Sequence, residues 1–325
     1  MKRGNWRLAL AALLLSCAVT AIPKSRAQAH KPVVADWPGA TMEPIVEEDE
    51  RQAFRPEGAP GTAAAVFAKA LTPAPLVANT RVIGAYNRGC LAGAVAMPSQ
   101  SPDWQLMRPS RNRAWGHPVL IKTATDIALS ARKAGWPGLL FGDFSQVRGG
   151  PMPYGHASHQ IGLDADIWLT PMPRDKLSTD GLEHFAPPSM VNMNTQGTEP
   201  ALFGALQISL IKIAAEHPNV ARVFVNARIK NSLCQSFAPS DRAWLNTVRP
   251  APGHDAHLHI RLHCPDDEPL CQAQKPPEQG DGCDELAGWL KPPPKVTAPP
   301  KPAPRSRQLK LSALPAQCRL VLAAP

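Results

Sequence analysis

Two segments, Ile161–Thr170 and His257–His263, constrain this chain more than anything else in it, because each alternates residue by residue as only an extended strand can satisfy. In the first, Ile161, Leu163, Ala165, Ile167 and Leu169 share one side, while Gly162, Asp164, Asp166 and Trp168 share the other. In the second, Leu258, Ile260 and Leu262 oppose His257, His259, Arg261 and His263. Each strand thus has an apolar face for a core and a face loaded with metal-ligating residue types. Side by side in one sheet they bring Asp166 and His259 to a single point, and His159 reaches it from the preceding turn. A lone histidine is more often a satisfied polar group than a ligand. Here five of the ten histidines (His156, His159, His254, His257 and His259) fall in two short patches. Two neutral imidazoles and a carboxylate suit Zn²⁺ and leave a fourth position open for water, which marks a catalytic site rather than a structural one. Asp164 shares the face of Asp166, where it either orients a ligand histidine or lies solvated in a turn. Arg261 and His263 lie too far along their strand to reach the metal.

The rest of the chain supplies a scaffold. His117 to Ala134 carries apolar residues at three- and four-residue intervals (Leu120, Ala124, Ile127, Ala128, Ala131), which predicts a helix ended by Trp136-Pro137-Gly138. Leu139 to Asp143 reads as a buried strand, Leu202 to Ala215 as a second amphipathic helix, and Val220 to Val225 as another strand. Residues 30–80, rich in Ala, Pro and acid, read as a flexible approach with one short helix at most, and order is expected from about Val82. Pro and Lys dominate from Lys291 to Pro304, a semi-extended linker.

The chain opens with Lys2, Arg3 and Arg7 before an almost wholly apolar run, Leu8 to Ala21, followed by small residues, which predicts an export signal over 1–29. Cleavage is expected after Ala29, with Ala21 as the alternative. Leu14-Leu15-Ser16-Cys17 also resembles a lipoprotein signal in which Cys17 would be acylated. No second apolar segment follows, so no transmembrane span is expected. In an oxidising compartment the six cysteines after Cys17 (Cys90, Cys234, Cys264, Cys271, Cys283 and Cys318) imply three disulfides, with 15 pairings open. The net charge of +9 misleads, because residues 30–290 hold 23 basic against 26 acidic side chains. The body has no footprint for nucleic acid, and the basic tail is a solvated one able to touch an anionic envelope polymer.

Nucleophilic alternatives find little support. Ser130-Ala131-Arg132-Lys133 matches a Ser-x-x-Lys pattern but lies within an amphipathic helix without a Lys-Thr-Gly partner, and no Gly-x-Ser-x-Gly occurs. Gly155-His156-Ala157-Ser158-His159, running into Gly162-Leu163-Asp164-Ala165-Asp166-Ile167, and His254-x-x-His257-x-His259 before Cys264-Pro265, resemble the penicillin-insensitive murein endopeptidases. The likeness runs from about Ile83 to Cys318 and includes Phe224-Val225-Asn226 and Gly282-Cys283. It implies periplasmic zinc peptidases that share a fold with D-Ala-D-Ala metallopeptidases, lysostaphin-type enzymes and the hedgehog domain. That fold is α+β, a small antiparallel sheet with helices on one face and long disulfide-tied loops, here over 81–290 with a tail, 291–325, pinned through Cys318.

By the same resemblance His159, Asp166 and His259 are the zinc ligands, His257 is the general base and His254 lines the site. The implied disulfides are Cys90–Cys318, Cys234–Cys283 and Cys264–Cys271. Some members bind a second zinc at a subunit interface through the residue matching His156 and an Asp and a His of the middle loop. Here that loop, Met190 to Gly197, contains neither. One zinc per chain is therefore expected; a second at His156, and a dimer that depends on it, stay open without support from this loop.

The expected activity is hydrolysis of D-alanyl–meso-diaminopimelyl cross-links in peptidoglycan. With no serine to acylate, β-lactams have nothing to trap. Two alternatives stand beside it. One is a non-catalytic envelope-binding protein that retains the metal, which would have no need of His257. The other is a D,D-carboxypeptidase or dipeptidase on the same fold, whose relatives tend to place a glutamate where this chain has histidines.

Overall fold

The two alternating segments pair with each other. In the computed structural model, which describes residues 60–291 and 309–325, Asp164–Trp168 and His257–Leu262 run antiparallel at the centre of a six-stranded sheet. His259 stands opposite Asp166, Arg261 opposite Asp164 and His257 opposite Trp168. Because side chains alternate with period two, this register commits all six to one face. Outward from the centre lie Val220–Val225 and then Val248–Pro250 on one side, Leu139–Phe141 and then Trp104–Leu106 on the other. The inner pairings are antiparallel as expected, whereas each edge strand joins its neighbour in parallel. The reason is connectivity. A parallel pair needs a crossover, and the helices Pro118–Lys133 and Ala227–Ser236 each lie in the chain between the two strands of such a pair.

The opposite face is the core. Ala165, Ile167, Leu258 and Ile260 have no exposed surface, and each large aliphatic side chain so buried contributes about 1.5–3 kcal/mol. Helix Pro118–Lys133 fills the predicted span, with Pro118 in its first turn and His117 Nδ1 accepting from the Val119 amide at 3.1 Å. Its buried stripe is Leu120, Thr123, Ala124, Ile127, Ala128 and Ala131. The second helix, Ala205–Ala215, starts three residues later than the apolar pattern suggests, since Gly204 and Gln207 form its start. The two helices pack on each other and against the sheet.

A second cluster ties the ends of the domain together. Part of the stretch expected to be a flexible approach is structured. Thr62 caps a helix, Ala63–Phe67, and Phe67 is fully buried. This is the one short helix allowed for in residues 30–80; five residues give too little periodicity to place it, and the burial of Ala63 and Phe67 against the cluster around Cys90 and Cys318 sustains it. The disulfides Cys90–Cys318, Cys234–Cys283 and Cys264–Cys271 are present. The first spans 228 positions, restricting the unfolded chain by about 5 kcal/mol in the loop-entropy account. Arg148 reinforces it, donating through Nη1 to the Val321, Leu322 and Ala324 carbonyls at the end of helix Gln317–Ala323. Among the described residues no helix is long and apolar enough to cross a membrane. The export-signal and Cys17 readings lie outside the described residues, as does most of the Pro/Lys linker.

Candidate metal centre

The sheet delivers the predicted convergence. Asp166 Oδ1 lies 3.4 Å from His159 Nε2, 3.5 Å from His259 Nδ1 and 3.8 Å from His257 Nε2. Donors held by one tetrahedral zinc at about 2.0–2.2 Å sit roughly 3.3–3.6 Å apart, so the first two spacings fit a shared ion. His159 Nε2 and Asp166 Oδ1 are buried and have no hydrogen-bond partner. Leaving such an atom unpaired costs about 1–3 kcal/mol, a cost that a cation between them removes. Among the described residues the group that offers three ligand atoms all within 4.8 Å of one another, and could hold a metal, is His156, His159 and Asp166; His259 approaches Asp166 but is not in that group.

What aims these atoms is the backbone and a further carboxylate. His159 adopts φ 64°, in the left-handed region. This costly conformation is held because its amide donates to Asp164 Oδ2 at 3.0 Å and its Nδ1 faces the Phe144 carbonyl at 3.1 Å. The proton therefore sits on Nδ1, and Nε2 turns toward Asp166. His259 is locked in the complementary sense, with Nε2 2.9 Å from Asp164 Oδ1 and Nδ1 toward Asp166. The turn between the loop and its strand needs Gly162 at φ 74°, where a Cβ would lie 2.6 Å from Leu91 Cδ2 and 2.9 Å from the His117 amide. Gly142, just past the neighbouring strand, lets that backbone sit close to the site: a Cβ there would press on Asp166 Cβ at 3.0 Å and Trp168 Nε1 at 3.2 Å.

Electrostatics agree. Burial works to raise the Asp166 carboxyl, but His159, His156 and His257 hold it well below the usual carboxylate range. Burial likewise opposes ionisation of Asp164, and the Arg261 guanidinium at 2.8 Å together with His259 overcomes it. His159 is pushed up, since the pull of Asp166 outweighs burial. The Asp166 carboxylate thus favours positive charge beside it, whether a proton on His159 or a cation. Burial drives His257 down to about 4 against the opposing pull of Asp166, which leaves it neutral at pH 7.

Asp164, left between two readings by its sequence position, is a hub that orients both His159 and His259. Arg261, excluded by its place on the strand from the expected ligand set, instead fixes Asp164. His254 stands beside the group, its ring 4.9 Å from that of His257 and 5.7 Å from that of His259. Asp143 is the residue that pattern reading missed. It is buried at the end of strand Leu139–Phe141, and its Oδ2 accepts from Arg113 at 2.7 Å, Arg111 at 3.2 Å and His156 Nε2 at 3.0 Å. Burial works to raise its carboxyl, but the His156 hydrogen bond and the two arginines hold it far below its ordinary value. The one available signal was an acid closing an otherwise apolar strand.

The family described as penicillin-insensitive murein endopeptidase matches residues 82–323. Among similar proteins, the penicillin-insensitive murein endopeptidase of Haemophilus influenzae is 43% identical over 232 residues, covering 68% of this chain and 79% of that protein. The proteins of the same name from Yersinia enterocolitica and Klebsiella pneumoniae are 40% identical over 235 residues and 39% over 243, covering 70% and 73% of this chain and 85% and 88% of theirs. With a match across most of its length, the chain belongs to the penicillin-insensitive murein endopeptidase family.

Proposed function

We propose that this chain is a zinc-dependent endopeptidase of the periplasm that hydrolyses D-alanyl–meso-diaminopimelyl cross-links of peptidoglycan. His159, Asp166 and His259 are its zinc ligands. The observation that carries this reading is the convergence of two tautomer-locked imidazoles on the orphaned Asp166 Oδ1. His156 is left out of the ligand set because its Nε2 is engaged by Asp143 at 3.0 Å, and the middle loop supplies no partner for it. The reading is therefore one zinc per chain.

A zinc ion held there would polarise the scissile carbonyl and lower the pKa of water toward 7. The remaining work falls to side chains. His257, neutral at pH 7 and next to the ligand carboxylate, takes the proton of the attacking water and delivers it to the leaving amine. The indole of Trp168, 5.3 Å from His257 in an edge arrangement, limits where that ring can swing. Asp164 holds both imidazoles in position while the substrate comes and goes. Residues 1–29, read as an export signal, would put the enzyme where its substrate is.

Digestion of purified cross-linked murein, with products identified by mass, tests the reading. Dimeric muropeptides should be converted to monomers, chelation should stop the conversion, and added zinc should restore it. Intact dimers after exhaustive digestion, or cleavage indifferent to chelation, would refute it.

A further inference from the structure

Distance alone does not choose the ligands among the histidines around Asp166. His156 Nε2 lies 3.5 Å from Asp166 Oδ2, as close as His159 Nε2 (3.4 Å) and His259 Nδ1 (3.5 Å) lie to Oδ1. Its ring is 4.2 Å from that of His159, and it shares with His159 and Asp166 a group able to hold a metal. Donors on one tetrahedral zinc sit roughly 3.3–3.6 Å apart, so His156 is placed to join the ion as a fourth protein ligand. A site closed by four protein ligands has no position left for water or for a scissile carbonyl. An open site therefore needs something that holds His156 back.

Asp143 is that restraint. Its Oδ2 accepts from Arg113 at 2.7 Å and from Arg111 at 3.2 Å, which keeps it a carboxylate and so an acceptor only. The 3.0 Å contact with His156 must then be donated by the imidazole. Its proton sits on Nε2, the nitrogen that approaches Asp166, and a protonated ring nitrogen has no lone pair for a metal. His159 is the reverse, with its Nδ1 turned to the Phe144 carbonyl and its Nε2 toward Asp166. The acid itself is fixed. The Asp143 carbonyl accepts from the Asp166 amide at 3.0 Å, and the Gly142 amide donates to the Asp166 carbonyl at 2.9 Å, so this backbone is paired with the ligand strand. His156 is the movable partner. It follows Gly155 at φ 85°, lies outside any helix or strand, and its side chain is 22% exposed against 4% for Asp143. Arg113 also donates to the Tyr154 carbonyl at 3.2 Å, so one guanidinium holds both the acid and the loop that carries His156.

We infer that Asp143 is a positioning residue that keeps the fourth coordination position open, by holding His156 in the tautomer that cannot ligate. The inference rests on the proposed ligand set of His159, Asp166 and His259, and adds what excludes a fourth side chain from it.

The test uses the full chain loaded with cobalt, because zinc is spectroscopically silent, and azide as the probe of the open position. Azide should shift the visible spectrum of the wild-type cobalt protein. Asp143→Ala should abolish that shift, bind metal more tightly in chelator competition and reduce cleavage to background. Adding His156→Ala should bring back the azide shift, the wild-type metal affinity and cleavage. A merely structural carboxylate behaves oppositely, since its loss weakens metal binding and removing His156 repairs nothing. Asp143→Asn guards against misfolding, because its amide oxygen still accepts from Arg113 while the neutral group loosens its hold on His156. It should lose part of the azide shift and regain all of it with His156→Ala. A wild-type cobalt protein indifferent to azide overturns the inference, as does a full azide shift in both Asp143 variants, or a weakened metal affinity that His156→Ala leaves unrepaired. Murein enters only the cleavage assay. A protein that passes the metal and azide tests yet cuts no murein refutes the murein reading and upholds the role of Asp143.

Discussion

His159 and His259 differ from His254 and His257 in what holds the far side of the ring. The first pair is buried, and each member spends its second nitrogen on a fixed acceptor, the Phe144 carbonyl or Asp164. The second pair is half-buried. His254 ties its Nδ1 only to the Pro252 carbonyl of its own turn at 2.7 Å, and His257 is bounded mainly by the faces of Trp168 and His254. A ring locked at one nitrogen offers a lone pair in one direction, which a metal needs. His257, bounded by neighbouring rings, keeps both nitrogens available, which proton transfer needs, while His254 has one committed to its own turn. On the proposed reading, four histidines of like chemistry in two adjacent patches divide into ligand and proton-transfer roles by their supports.

If that division is right, removing a locked partner has the largest effect. His159→Ala, His259→Ala or Asp166→Ala should lose the metal and reduce cleavage to background, while the disulfide-tied body stays folded. Metal analysis settles it: full zinc occupancy in all three would dissolve the distinction between the pairs.

His257→Ala should separate the two functions. Zinc should stay near one per chain while kcat falls about 10²–10⁴-fold, the usual worth of a positioned proton acceptor. Loss of zinc together with activity would place His257 among the ligands, and its 3.8 Å distance from Asp166 Oδ1 makes this a sharp test.

Asp164→Asn sharpens the comparison from the support side, since it weakens what aims His159 and His259 without touching the ligands. Metal affinity should drop about 10–100-fold, measured by chelator competition. The metal-free protein should also lose stability in a pH-dependent way. The native Asp164 carboxyl is held below its ordinary value, so its contribution is complete above about pH 4 and declines as pH falls toward the lowered native pKa. The gap in melting temperature between wild type and variant should be widest near neutrality and narrow in acid. A constant gap would mean that Asp164 acts by shape rather than by charge.

Much of this was legible because a sheet converts sequence parity into geometry. Once Asp166 and His259 fall on the polar parity of their strands, pairing in register makes them neighbours, and the structure has them opposite each other. Asp143 was not legible for the converse reason. It lies on no alternating segment and gains its partners from arginines about thirty positions earlier. The parallel edges escaped because the choice of edge partner depends on which way a crossover helix returns. The one short helix allowed for in residues 30–80 lies at Ala63–Phe67, and its place was not legible because it is held by burial against the cluster around Cys90 and Cys318.

The smallest expected effect lies within the unlocked pair. His254 has φ 51°, strain that the turn preceding strand His257–Leu262 retains, and its ring rests 4.9 Å from His257. Burial lowers its pKa, with Asp166 pulling the other way, so it stands beside the base as a mostly neutral donor. A neutral donor contributes about one ordinary hydrogen bond to the transition state, roughly 0.5–1.5 kcal/mol. His254→Ala should therefore cut kcat only about two- to tenfold and leave zinc untouched. His254→Gln, which keeps a donor, should recover most of that loss. The order of the two single variants is what matters. If His254→Ala proves the more damaging with zinc retained, the base is His254, and the contact of Trp168 with His257 has to be read as a wall of the site rather than as its working edge.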